Sequence, residues 1–429
     1  MKKNNFWKKS LKIIPGGNLL YSKRPEMFLP EYWPTYFKKS KDVYVWDKNN
    51  KKYIDMIFAV GTNVLGYANK KVDNAVKKII SSGNMTTLNS FEEVLLAKKL
   101  LKLNKWAKMV KFARSGGEAN AIAIRIARAY KKNRLKVAAC GYHGWHDWYL
   151  SANLKKNSNL NTHLSKNVKI DGVNKELKDT TFLFEYNNLN KLEYLLKKKN
   201  VGIIKMEVIR SIKPKENFLK KVRALANKYN AVLIFDECTS GFRQNLGGIY
   251  SDYKIIPDIV TYGKALGNGY AITAIVGKEK IMQACQNTFI SSTFWSERIG
   301  FAAALETIKQ MEKNKTWKII KKRGAYIKNC WKKIAKKYKV DIEILGIDAI
   351  PQFRFKNHHN YLKTFITYEM LKKKYLASNV IYLSVLHNKK LIDKYLSVLD
   401  DVFLKISKMK NPKKEINLKF CHTEFKRLN

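Results

Sequence analysis

The sequence predicts an α/β protein: a large domain on a mostly parallel seven-stranded sheet flanked by helices, and a smaller α+β domain formed by the N- and C-terminal segments. Three observations predict it. Between residues 109 and 277, short continuous apolar runs recur with helical segments between several of them, the pattern of parallel strands covered on both faces. Residues 311–429 change character, with long helical stretches around one short strand set. Finally, 429 residues at 45% hydrophobic content suffice to bury a sizeable core.

In chain order, MKKNNFWKKSLKIIPGG opens with charge but lacks the apolar stretch of roughly 7–15 residues that a signal peptide requires. No run approaches the ~20 apolar residues of a membrane span. Residues 36–57 alternate polar and apolar positions on either side of a DKNN turn, predicting a β-hairpin. The predicted strands are MVKFA (109–113), KVAAC (136–140), TTFLFEY (180–186), VGIIKMEVI (201–209), AVLIFDE (231–237), DIVTYG (258–263) and AITAIVG (271–277). GEANAIAIRIARAYKKN, NLNKLEYLLKKK and ENFLKKVRALANKYN read as helices between them. Further on, 300–337 reads as one long helical stretch, VDIEILGIDAIPQFRF as strands, and 362–374 and 390–408 as helices. The expected organisation is an N-terminal segment 1–57 packing with the small domain, a large domain 58–310 and a small domain 311–429. Ligands of such sheets bind beyond the carboxyl ends of the strands.

The formal net charge of +50 raises the possibility of nucleic-acid binding. Yet 72 of the 84 basic residues are Lys, scattered as KK and KKK pieces along amphipathic stretches, whereas specific phosphate and base recognition favours clustered Arg forks. These lysines read as solvated helix faces, with weak nonspecific polyanion binding at low salt. The five cysteines (140, 238, 285, 330 and 421) have neither an even count nor metal-ligand spacing, which points away from a disulfide framework or zinc site and toward a reduced, cytoplasmic setting.

Three motifs carry chemistry. In FARSGGEANAIAIRIARAY a strand runs through Ser115, Gly116 and Gly117 into a helix; the glycines let backbone N–H groups approach an anion and the helix N-terminus adds its dipole, although such a turn is also an ordinary tight connection. No GK[ST] follows, so it is not a Walker loop. CGYHGWHDW places Tyr142, His143, Trp145, His146 and Trp148 just after a strand, as a plate for a flat ring or as packed aromatics. The i, i+3 pair His143 and His146 lacks a patterned third metal ligand.

The third motif joins AVLIFDECTSGFR to PDIVTYGKALGNG. Asp236 ends one apolar run and Lys264 follows another, 28 positions later. An acid and an amine delivered together by strand ends suit a pyridoxal phosphate enzyme: the lysine holds the cofactor as a Schiff base, and the carboxylate keeps the pyridine nitrogen protonated. Read singly, Asp236 is equally a helix cap and Lys264 one lysine among many.

Taken in order, SGGEA, GYHG, ME, FDECTSGFR, PDIVTYGKALGNG and SSTFWSERIGFAAALETI resemble the class III pyridoxal-phosphate aminotransferases of fold type I, and within them the glutamate-1-semialdehyde 2,1-aminomutase branch. The resemblance runs from PGGN (15–18) to the stretch near 395. It implies that Lys264 forms the Schiff base, that Asp236 contacts the pyridine nitrogen, and that Gly116 and Gly117 donate to the phosphate. Tyr142 would stack on one ring face, with Cys238 against the other where the family usually has Val. Ser115 and His143 join this cofactor set. Glu207 matches the Glu of the family's strand-end EP motif, with Val208 in place of Pro. Thr293 matches a threonine reaching the partner subunit's phosphate, implying a homodimer with shared active sites. No metal or membrane role is implied.

Two departures bear on substrate. The aminomutases carry a Ser-Pro-x-Arg segment that grips the substrate carboxylate, where this chain reads NLLYSKRPEMF, so Ser22 and Arg24 are the candidates for that grip. The family's Ser-Trp-Gly is replaced by Ala59, Val60 and Gly61. The alternatives are a transaminase acting on a different amino acid, a keto acid or a sugar-linked carbonyl, and, in a different class, a basic nucleic-acid-binding module on a degenerate enzyme fold.

Overall fold

The computed structural model describes residues 5–154 and 169–422. Its strands in chain order are β1 (Phe37–Lys41), β2 (Tyr44–Asp47), β3 (Lys52–Asp55), β4 (Met109–Ala113), β5 (Lys136–Cys140), β6 (Thr181–Leu183) and β7 (Val201–Glu207). Then follow β8 (Val232–Glu237), β9 (Ile259–Tyr262), β10 (Thr273–Gly277), β11 (Ile342–Leu345), β12 (Gln352–Phe355) and β13 (Tyr375–Leu376). The described residues divide into two compact units, one spanning Lys70–Trp317 and the other joining the segment up to Asn69 to the stretch from Lys318.

The Lys70–Trp317 unit holds a seven-stranded sheet in the order β4-β10-β9-β8-β7-β5-β6. Strands β9, β8, β7, β5 and β6 run parallel, whereas β10 is antiparallel to both β9 and β4. Every residue of β7, β8 and β9 is buried, as expected for strands covered on both faces. All seven expected strands are present. TTFLFEY supplies only Thr181–Leu183, because the chain turns at Glu185–Asn188 through Asn187 in the left-handed region. One face is covered by the helix Gly116–Lys131, whose Ala119, Ile122, Ala123, Ile126 and Ala127 join Ile203, Ile234 and Ile259 in one apolar cluster.

The expected junctions at 57/58 and 310/311 move to 69/70 and 317/318. Residues 58–69 bind the other unit for a local reason: Asp55 accepts from the backbone N–H groups of Ile57 (2.7 Å) and Phe58 (3.0 Å) and from the Tyr67 hydroxyl (2.7 Å). Phe58 stacks on Tyr67 at 4.6 Å. This holds a turn in which Phe58, Ala59, Val60 and Gly61 all have positive φ, a conformation that β-branched Val60 rarely adopts. The predicted hairpin becomes part of a four-stranded sheet, β1-β2-β3-β13: Asp47 ties the DKNN turn by accepting from Asn49 and Lys51, while Asp42 at φ 56° divides the first half into β1 and β2. The 300–337 helix is two helices, Arg298–Asn314 and Thr316–Lys337, separated by Lys315 in the left-handed region. Among the described residues no helix is long and apolar enough to cross a membrane.

Candidate active site

The strand register assembles the site in the Lys70–Trp317 unit. Asp236 on β8 lies opposite Glu207 on β7 and Thr261 on β9, and Lys264 follows two residues after β9 ends at Tyr262. The Asp236 side chain is buried and accepts from three donors, fewer than a carboxylate can take. His143 Nδ1 lies 2.8 Å from Oδ2, Asn120 Nδ2 donates to the same oxygen at 2.7 Å, and the Cys238 backbone N–H donates to Oδ1 at 2.9 Å. His143 Nε2 is 3.2 Å from the Cys140 carbonyl. A carboxylate can only accept, so the bond to Asp236 is donated by the His143 Nδ1–H. Burial alone would raise the Asp236 carboxyl, but the charge of Lys205, the hydrogen bond and charge of His143 and the Cys238 N–H together hold it below the usual carboxylate range.

Lys264 is partly buried, and its Nζ donates to Thr239 Oγ1 at 2.6 Å. Cys238 packs between Gly116 and Gly263; burial, reinforced by Asp236, pushes its thiol up and keeps it neutral. The helix Gly116–Lys131 starts with a capping box: Ser115 Oγ accepts from the Glu118 N–H, and Glu118 Oε2 accepts from the Ser115 N–H at 2.7 Å. Glu118 therefore occupies the Ser115 backbone donor, and the N–H groups of Gly116 and Gly117 are the first-turn donors that a helix leaves over. A Cβ on Gly117 would lie 2.9 Å from His146 Cε1, so the GYHG loop closes directly on this turn.

The aromatic residues do not form one plate. Trp145 is exposed and stacks on His146, the His143 ring is wholly buried and stacks on Trp148, and Tyr142 meets Tyr149 edge-on. His143 thus lies against Asp236. Glu207 accepts from the Tyr142 backbone N–H at 3.1 Å, fixing that loop. Thr293 is exposed in the short helix Thr293–Ser296; Arg114 pins the following residues by donating to the carbonyls of Phe294, Trp295 and Glu297. In the other unit, Ser22 lies in the short helical turn Tyr21–Lys23 and Arg24 is the extended residue between that turn and Pro25–Met27; the Arg24 guanidinium lies over the Tyr21 ring at 5.1 Å and against Gly16, with Nε buried without a hydrogen-bond partner.

Asn120, Thr239, Thr261 and Lys205 escaped the sequence reading. Two carried a signal: Asn120 is a lone amide on an apolar helical stripe, and Lys205 interrupts an apolar strand. An engaged buried carboxylate, an amine at the next strand end and a glycine turn with two unspent backbone donors fit a phosphorylated, protonated pyridine. Among the described residues no three His, Cys, Asp or Glu side chains converge as a metal-ligand set.

This fold and site define a pyridoxal-phosphate enzyme of the aminotransferase kind. Residues 30–375 match the family model "Aminotransferase class-III", and the chain belongs to that family, whose cofactor is pyridoxal 5′-phosphate. It is 33% identical over 82% of its length to 3-aminobutyryl-CoA aminotransferase of Cloacimonas acidaminovorans, covering 83% of that protein. It is 29% identical over 93% of its length to a glutamate-1-semialdehyde 2,1-aminomutase of Methanococcus maripaludis, covering 97%. In fold it matches the FumI protein of Sphingopyxis sp. MTA144, with a TM-score of 0.84, 20% identity and coverage of 98% and 99%. It also matches an omega-transaminase from Sphaerobacter thermophilus, with a TM-score of 0.83, 18% identity and coverage of 94% and 97%.

Proposed function

We propose that this aminotransferase belongs, within its family, with the glutamate-1-semialdehyde aminomutase-like enzymes, moving an amino group between carbons of a small carboxylate-bearing substrate in the cytoplasm. The observation that carries the site assignment is the Asp236 carboxylate, buried and held by three donors beside the strand end that presents Lys264. When bound, the cofactor supplies an electron sink for the charge left at the substrate carbon once a proton is removed. Asp236, kept anionic by His143, Asn120 and Cys238 N–H, holds a proton at the ring nitrogen. Lys264 Nζ anchors the ring and then, as a free amine, accepts and returns the proton at the substrate carbon, with Thr239 orienting it. Gly116 and Gly117 N–H groups hold the phosphate, while Tyr142 and Cys238 flank the ring and Thr293 serves the phosphate of a partner subunit in a homodimer. Arg24, beside Ser22, takes the substrate carboxylate; its buried Nε without a partner supports this.

A second reading, a transaminase that passes the amino group between two molecules, is favoured by the 33% identity to an enzyme named for 3-aminobutyryl-CoA. Purified protein is expected to acquire a visible absorbance band with pyridoxal phosphate that borohydride fixes to the chain, and Lys264→Ala abolishes that fixation. Protein that stays colourless refutes the site. Supplying glutamate-1-semialdehyde alone, then β-amino acyl thioesters and other acceptors with amino donors, and identifying the products separates the two readings.

A further inference from the structure

Lys205 is a buried ionisable group that this chemistry leaves unused. It stands in the apolar strand VGIIKME and is 0% exposed, a position where an uncompensated charge is strongly disfavoured. The register pairs Lys205 with Ile234, two residues before Asp236, so its side chain lies on the same sheet face as Asp236, beneath the helix Gly116–Lys131. Its Nζ donates to Thr261 Oγ1 at 3.2 Å, and Thr261 donates to Asn120 Oδ1 at 3.0 Å. Asn120 Nδ2 then donates to Asp236, closing a directed chain of hydrogen bonds from the amine to the carboxylate. Of the ionisable groups around Lys205, Asp236 and Cys238 face it from β8 and the turn after it, and Glu207 from its own strand. The overlying helix contributes neutral Asn120, and His143 lies beyond Asp236. Burial lowers the proton affinity of Lys205 and Asp236 is the main opposing influence; Lys205 is in turn the foremost charge holding Asp236 low.

We propose that Lys205 is a positioning residue at the nitrogen-binding end of the site, a buried amine linked through Thr261 and Asn120 to the carboxylate that takes the ring nitrogen of the cofactor. The charges on Lys205 and on the ring nitrogen act on the same carboxylate and so couple to each other, a proton on one weakening the hold on the other. The strength of the electron sink is thereby set by a lysine that touches neither substrate nor cofactor. The inference rests on the proposed placement of the ring nitrogen at Asp236.

The test loads wild type, Lys205→Met and Thr261→Val with pyridoxal phosphate and follows the bound absorbance band against pH. Removing the competing cation in Lys205→Met is expected to raise the titration midpoint by about one pH unit, a tenfold change in proton affinity. Thr261→Val, which strips the amine of its acceptor, shifts it in the same direction, and it reads the idea independently if the methionine variant does not fold. A merely structural lysine leaves the midpoint in place and overturns the proposal. Absence of the band in wild type refutes instead the site reading beneath it. Without cofactor, wild type should gain stability relative to Lys205→Met as pH rises toward the unfolded lysine value of about 10.4, because its folded-state proton affinity lies below the unfolded one; a stability difference that does not change with pH also overturns the proposal.

Discussion

Glu237, next to Asp236 and also wholly buried, shows how far neighbouring carboxyls diverge when only one of them has cations beside it. Its carboxyl accepts from the Ser240 hydroxyl and the Tyr250 N–H, no cation among the described residues pairs with it, and burial pushes its pKa up to about 8. A folded-state value raised above the unfolded one contributes stability that is full below the unfolded carboxylate pKa of about 4.3 and lost as pH rises through about 8. Glu237→Gln is expected to flatten the fall in urea-unfolding stability of the wild type across that window; an unchanged slope means that Glu237 is ionised in the fold. At this scale the sequence exposed Asp236 and Lys264 because each ends an apolar run, where a charge has no ordinary reason to stand. Thr239 and Thr261 were illegible, since a hydroxyl gains its meaning only from what faces it across strands. His143 was legible as a ring but not as a donor to Asp236, because that depends on the path of the loop after β5.

At the scale of elements, strand and helix identity was readable wherever apolar periodicity was long, and boundaries failed where a single backbone conformation intervened. Lys315 is the clearest case: 300–337 carries unbroken helical periodicity, yet this residue at φ 48° and ψ 45° splits it. Nothing in a lysine announces a left-handed turn, for which glycine is the usual residue. Lys315→Gly removes the Cβ penalty and is expected to stabilise the protein by up to about 1 kcal/mol, read as a higher urea midpoint at unchanged slope; a lower midpoint would show that the Lys315 side chain contributes more than its backbone costs. The capping box at Ser115 teaches the opposite lesson. Its Ser-x-x-Glu pattern was visible, but which backbone donors Glu118 takes, and hence which are left for an anion, follows only from the three-dimensional arrangement.

Over the whole molecule, the net charge of +50 is a self-repulsion that the fold must overcome. Added salt is expected to raise the unfolding temperature as the screening length falls below about 10 Å, and scanning calorimetry at increasing NaCl checks it; a flat or falling trend would mean that the charges are already paired. The architecture was legible because continuous apolar strands alternate with helices. The junctions between the units were not, because residues 58–69 hold to Asp55 and its neighbours by hydrogen bonds that composition does not reveal.

The antiparallel strand β10 also has a consequence for biosynthesis. β4 is the first strand of the large sheet to be made, yet its sheet neighbour is β10, the last, through pairs such as Ala113 with Thr273. On the ribosome β4 therefore waits as an unpaired edge until the chain beyond Gly277 has emerged, while β5, β7, β8 and β9 can already pair among themselves. Long-range closure of this kind is slow and leaves an apolar edge open to wrong partners. The step that completes the sheet is also the one that sets the turn at Ser115, after β4, and the segment carrying Lys264, after β9, on either side of β10, so a nascent chain stalled before it would have a nearly complete sheet and no competent site.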